Sequence, residues 1–252
     1  MANDLINAAA LSTPYFAAVK CELDRLDGRR DLCALNELAA SRGTHTRFVA
    51  PPLGISAVGY EMTIGATGEV PTRDNSHDFF NALQWIAFPQ TKAAINAGHL
   101  RHRCTETAPR SLARDVLTMV DESGVLVASS DNSLLDLLRE FRWRDLFVDR
   151  RADVVARMRV AMLGHGLMEK ALAPFIGLTG KAILLNMGDE ISLDMAAANW
   201  LTNDANLASS HSLAPLPLLG IPGWDARNED PAFYDNREYF RPGRRIASGR
   251  VR

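Results

Sequence analysis

The stretch Arg73-Asp74-Asn75-Ser76-His77-Asp78-Phe79-Phe80-Asn81-Ala82-Leu83-Gln84-Trp85-Ile86-Ala87-Phe88-Pro89 constrains the fold more than any other part of the chain. Asn75 or Ser76 is a natural helix N-cap, because a short side-chain oxygen accepts from the free amides of the first turn. Asp78 follows where a carboxylate complements both that cap and the positive end of the helix dipole. Phe79 to Phe88 is mostly large and apolar with no clean polar face, so this helix is expected to be buried on most sides. His77 and Asn81 lie four residues apart and share a stripe that Gln84 and Trp85 extend. An unsatisfied polar group in such a place costs about 1–3 kcal/mol, so the stripe must meet backbone, water, a metal or a ligand. Capping alone accounts for Asp78, and a structural hydrogen bond would account for His77 or Asn81, so a functional reading needs further residues.

The length of 252 residues suits one large domain or two small ones, and 47% hydrophobic with 23% charged residues is an ordinary water-soluble balance. A net charge of −2 offers no electrostatic case for nucleic acid or an acidic membrane, beyond a weak contribution from a C-terminal run of arginines (Arg241, Arg244, Arg245, Arg250, Arg252). Cys21, Cys33 and Cys104 form neither an even set nor a C-x-x-C pair, which points to a reduced, cytoplasmic compartment without a disulfide framework or zinc ribbon. The N-terminus lacks the basic-then-apolar pattern of a signal peptide, and no run of about 18 apolar residues is present to span a membrane.

In chain order, Ser12-Thr13-Pro14 introduces a helix from Tyr15 to Leu26, and a second is expected from about Asp31 to Ala40. Arg47-Phe48-Val49 reads as a short strand. Val58 to Ile64 alternates like a strand and turns through Gly65-Ala66-Thr67-Gly68 into Glu69-Val70, predicting a hairpin. Pro89 opens a helix to about His99 with Lys92, Asn96 and His99 on its polar side. Asp115 to Val120 and Val125 to Ala128 flank Asp121-Glu122-Ser123-Gly124, which predicts a second hairpin. Asp131 caps a leucine-rich helix leading towards Trp143 and Phe147, Val154 to Leu163 fits strand or helix, and Leu167 to Ala173 is helical. A last helix begins at Ser192 or Asp194 and runs through Trp200. From Pro215 the chain is too rich in Pro and Gly for regular structure and reads as an extended strap anchored by Trp224, Phe233, Tyr234 and Phe240. The expected class is α+β, predominantly helical, with two short β-hairpins or a small sheet and an extended C-terminal strap. Residues 1–214 would form a single globular domain, 215–242 the strap and 243–252 a basic flexible tail.

Several of these strings together resemble one uncharacterised bacterial family, domain of unknown function 3025. They are Tyr60-Glu61, His77-Asp78-Phe79-Phe80-Asn81-Ala82-Leu83 with its Arg73-Asp74-Asn75-Ser76 lead, Phe88-Pro89 with Lys92-Ala93, Gly164-His165 with Glu169-Lys170, and Gly220-Ile221-Pro222-Gly223-Trp224. The resemblance spans about Phe48 to Pro242 and implies a shared fold and a shared site, without supplying a reaction. It also implies a histidine in relatives at the position of Lys181. Lys181 is therefore carried with Asn81 as a cofactor-binding candidate, and a metal site that needed a histidine there would not be built in this chain.

Familiar catalytic templates are absent: no G-x-S-x-G elbow, no G-x-x-x-x-G-K-[ST] loop, no G-x-G-x-x-G opening a helix after a strand, and no H-E-x-x-H. His77, Asn81 and His99 suggest an H-N-H nuclease only until its ββα layout is sought and not found. His165 and Glu169, four apart, could converge on one ligand, and Asp121-Glu122 could supply carboxylates at a strand end. Two readings follow. In the first, His77, Asp78, His165 and Glu169 line the pocket of a hydrolase for a small-molecule ligand. His77, Asp78, His165 and Asp121 would be its ligands to a divalent metal (Zn, Fe or Mn) that activates water. In the second, the same residues form a satisfied polar cluster in a non-catalytic binding or assembly protein.

Overall fold

The computed structural model describes residues 8–103 and 111–243. Helix α1 (Ala8–Leu11) and a 3-10 segment (Pro14–Val19) lead into α2 (Lys20–Leu26) and α3 (Leu32–Ser41). The chain continues as β1 (Arg47–Val49), α4 (Ala57–Thr67), β2 (Glu69–Pro71), α5 (Ser76–Ala87) and α6 (Pro89–Arg101). Next come α7 (Leu112–Ser123), β3 (Gly124–Ser129), α8 (Asn132–Arg139), α9 (Arg151–Arg157), β4 (Met158–Met162) and α10 (His165–Ala171). It closes with β5 (Thr179–Asn186), α11 (Leu193–Thr202), α12 (Asp204–Leu207) and β6 (Ala214–Pro217) before a run of 3-10 turns. The α+β, predominantly helical class expected from the sequence is the class observed. Cys104 and the arginines beyond Gly243 lie outside the described residues.

Neither predicted hairpin forms. Val58 to Ile64 is helical: the Ser56 hydroxyl accepts from the Gly59 amide and Gly68 ends the helix in the left-handed region at φ 71°. The alternation misled because Val58 and Met62 are exposed, at 38% and 48%, and of this helix only Ile64 is buried. β2 instead pairs in parallel with β1, Phe48 opposite Val70. Asp115 to Val120 is likewise helical, capped by Ser111, and buries Val116, Leu117 and Val120 at helical spacing. Asp121-Glu122-Ser123 is the last turn of α7, and the chain passes into β3 at Gly124 without a loop.

β3 is the centre of the molecule. It lies in a four-stranded sheet of order β4-β3-β5-β6, antiparallel to β4 and parallel to β5. Val125 and Val127 face one hydrophobic core, with Phe80 and Leu83 of α5, Leu134, Leu135 and Leu138 of α8, and Phe147. Leu126 and Ala128 face the other, with Leu117 and Val120 of α7, Ile183 and Leu185 of β5, and Leu201 of α11. Both faces being covered, β3 is buried at every position rather than alternating. Pro215 to Pro217, read from the sequence as the start of the strap, belong with Ala214 to the edge strand β6, where the missing amide of a proline costs no ladder bond on the open side. Beyond it, Tyr239 is buried and its hydroxyl donates to the Leu178 carbonyl at 2.7 Å, while the buried Asn228 amide donates to the carbonyls of Leu219 and Ile221.

The turn from β4 into α10 lies against the α7–β3 junction, and Gly124 O accepts from both Leu163 N (3.0 Å) and Gly164 N (2.8 Å). A Cβ on Gly164 would sit 2.5 Å from the backbone of Ser123 and Gly124. Gly164→Ala is therefore expected to cost about 1–3 kcal/mol of stability through overpacking against backbone. Urea unfolding checks this, and a loss within about 0.5 kcal/mol, typical of an unconstrained surface change, would contradict the packing described.

Candidate metal centre

Helices α5, α7 and α10 bring candidate residues to the end of the sheet where β3 starts and β4 stops. Asn75 caps α5, its side-chain oxygen accepting from Asp78 N at 2.8 Å, so His77 lies in the first turn. α10 begins at His165 directly after the turn that Gly124 holds. The last turn of α7 carries Asp121 and Glu122.

His77 Nε2 and His165 Nε2 lie 3.0 Å apart, with the rings steeply inclined at 77°. Glu122 Oε1 is 3.5 Å from His165 Nε2 and 3.8 Å from His77 Nε2. These three donor atoms lie within 4.8 Å of one another, a group that could hold a metal ion. Two nitrogens bound at about 2.0–2.1 Å to one tetrahedral ion stand roughly 3.3 Å apart, so the imidazole spacing suits a shared cation. On the other side of the His77 ring, Nδ1 is 3.3 Å from Glu169 Oε2. A carboxylate there favours a proton on Nδ1 and turns the Nε2 lone pair towards the other two donors. The His165 side chain is buried, whereas those of His77 and Glu122 are 35% and 44% exposed, so one side of the group is open to solvent. Gly166 makes room for this arrangement: a Cβ there would collide with Glu122 Oε2.

The Glu122 carboxyl is held below the usual carboxylate range by its hydrogen bond to His165, against partial burial and with the added charge of both histidines. It is ionised at neutral pH, the form a metal needs. Burial raises the Asp121 carboxyl, but the Lys92 ammonium and then His165 outweigh it and hold the group ionised.

The candidates from the sequence divide cleanly. His77 and His165 meet, and Glu169 reaches the far nitrogen of His77. Asp78 does not join them: Oδ2 accepts from Arg73 N (2.7 Å) and Nε (3.0 Å), and Oδ1 from an Arg73 guanidinium NH₂ at 2.8 Å. Burial raises this carboxyl, and Arg73 brings it below its ordinary value. Asn81 faces inward, its amide donating to Tyr60 OH at 2.9 Å and its oxygen accepting from Lys92 Nζ at 2.8 Å. Asp121 pairs with Lys92 and stands 4.0 Å from His165 Nδ1, behind the donor group. Lys181 sits at the same sheet end, in register with Gly124, but makes no ion pair with these histidines or carboxylates among the described residues. Glu122 is the residue absent from the sequence-derived ligand set, because a hairpin corner was expected where a helix ends. A cavity of about 710 Å³ lies on the other flank of α5, lined by Leu32, Leu35, Ser76 and Phe79 among others and by neither histidine. The donor group is thus separate from that recess and partly exposed at the surface.

An α+β fold with a His/Glu/His group able to bind a metal defines the class. The family model described as "Protein of unknown function (DUF3025)" matches residues 46–244, most of the chain, and the chain belongs to that family. No match was found among curated proteins or among solved structures. Among the described residues, no helix is long and apolar enough to cross a membrane.

Farther inside, burial pushes the Glu61 carboxyl up to about 7, against the Asn96 amide that donates to it and with the charge of Asp121 adding to the rise. The native state therefore binds this proton more tightly than the unfolded chain, whose carboxyl titrates near 4.5. Its contribution is present at acid pH and is lost as pH rises from about 4.5 through 7. Glu61→Gln is expected to become relatively more stable than the parent across that window. Melting temperatures of both proteins against pH test this, and parallel curves would refute it.

Proposed function

We propose that His77, His165 and Glu122 hold a divalent metal ion and that the site is that of a metal-dependent hydrolase acting on a small molecule. The observation that carries this reading is the convergence of two imidazole Nε2 atoms and one carboxylate oxygen in a group that is open to solvent on one side. Two imidazoles and a carboxylate suit zinc, iron or manganese. Three protein donors leave coordination positions free, as in catalytic rather than structural zinc sites. A bound ion of this kind supplies activation of water at neutral pH. Glu169 would orient His77, and the exposed side of His77 and Glu122 would admit the substrate. We assign Asp78 to holding Arg73 and the start of α5, and Asn81 to the buried polar line behind the site.

The second reading, a binding protein without catalysis, draws on a different observation. The cavity of about 710 Å³ is not lined by the histidines, so it could take a ligand without involving the donor group. Metal titration followed by a hydrolysis assay separates the two. The parent chain is expected to take up about one equivalent of Zn²⁺ or Mn²⁺ and to hydrolyse a p-nitrophenyl ester or phosphoester only when loaded. His77→Ala should abolish both while moving the melting temperature by no more than a few degrees, since His77 is half-exposed. Gly166→Ala should weaken metal binding at least tenfold by displacing Glu122, consistent with the usual sensitivity of such supports. Substoichiometric metal unchanged in His77→Ala would remove the metal reading, and stoichiometric metal without hydrolysis would favour the binding protein.

A further inference from the structure

His165 Nδ1 is buried and has no hydrogen-bond partner among the described residues. Leaving such an atom unpaired costs about 1–3 kcal/mol, so its surroundings need an explanation. The Asp121 carboxylate stands close to it, with Oδ1 4.0 Å away. That carboxylate is fixed from behind: Lys92, 2% exposed, pairs with Asp121, hydrogen-bonds Asn81 Oδ1 and lies over the Trp85 ring at 5.5 Å. Asn81 in turn donates to Tyr60 OH, so α4, α5, α6 and α7 all contribute to one line that ends facing His165.

Donor arithmetic explains the gap. With the His77 proton on Nδ1, towards Glu169, His77 Nε2 can only accept, and the 3.0 Å contact between the two Nε2 atoms places a proton on His165 Nε2. A neutral His165 then turns a bare Nδ1 towards the Asp121 carboxylate, acceptor against acceptor, and no hydrogen bond forms. A cation held by both Nε2 atoms requires that proton to leave. One proton lost from Nε2 and one gained at Nδ1 keep the ring neutral and turn Nδ1 into a donor aimed at Asp121.

We propose that Asp121, anchored by Lys92, is the positioning residue of His165 and receives its Nδ1–H when a metal binds, as Glu169 does for His77. The proposal rests on the metal reading above and adds to it that the site is held by two carboxylate–histidine pairs, of which the second closes only on loading. It also explains a buried Lys–Asp pair, which by itself is weak evidence for stability because desolvation offsets attraction.

Two measurements test it, both on the full chain. In Zn²⁺-loaded parent protein, long-range ¹H–¹⁵N spectra of the histidine rings should show His165 protonated at Nδ1, with the proton on Nε2 before loading. A loaded His165 lacking the Nδ1 proton overturns the proposal. Co²⁺ titration then compares the parent with Lys92→Met/Asp121→Leu, a double change that avoids stranding a buried charge. Affinity should fall 10–100-fold, and Lys92→Met/Asp121→Asn, which restores an oxygen acceptor, should recover part of the loss. Equal affinity in the parent and the Leu double variant overturns the role of Asp121 and leaves the metal site standing. No Co²⁺ binding by the parent overturns both.

Discussion

The carbonyl of Gly124 carries more of this structure than its size suggests. By accepting from both Leu163 and Gly164 it joins the point where α7 becomes β3 to the point where β4 becomes α10. Two of the three donors in the candidate metal group are placed by that joint. Glu122 lies two residues before it on one side, and His165 follows Gly164 on the other. Neither junction has room for a side chain, since a Cβ on Gly124 would meet the Val120 carbonyl and one on Gly164 the backbone of Ser123 and Gly124. The sheet thus acts as a rigid base that holds two helix ends at fixed separation, with α5 carrying His77 across to them.

The molecule uses its charges in two distinct ways. Arg73 and Asp78 form a fork-and-carboxylate pair at the rim, with the arginine side chain 64% exposed, and there the pair chiefly fixes the beginning of α5. Exposed pairs of this kind contribute at most about 1 kcal/mol. Lys92 and Asp121 are a different case, because the ammonium is almost wholly buried. Removing one partner of such a pair costs about 3–5 kcal/mol, yet replacing both by apolar groups is often neutral. A pair that is costly to break and of little net benefit is better understood as an orienting device, which is the role its place behind His165 gives it.

Much of α5 was legible locally. The Asn75 cap, the apolar body from Phe79 and the need of His77 and Asn81 for partners all appear in one short window, and the structure provides each partner. The leucines of α8, the start of α6 at Pro89 and the aromatic anchors Tyr234 and Phe240 were equally readable. The two predicted hairpins failed for a common reason. Short apolar runs fit either period, and Gly68 and Gly124 serve as well to end a helix as to turn a hairpin. At Gly124 the misreading left Glu122 out of the ligand set, because a carboxylate at a hairpin corner faces water whereas one on a final helical turn faces α10. The four-stranded sheet was invisible, since β3 and β5 pair across more than fifty intervening residues and nothing local specifies which apolar run becomes whose neighbour.

By itself the sequence determined the class of the fold, the buried helix at its heart and the histidines that would need partners, because caps, periodicity and desolvation act over a few residues. Tertiary structure alone decided which of those groups meet. His77 and His165 are 88 positions apart, and their approach depends on strand order, on one doubly accepting carbonyl and on two glycines that let backbones touch. Those are properties of packing, in which a residue's neighbours are set by the whole chain at once, and so no window of the sequence contains them.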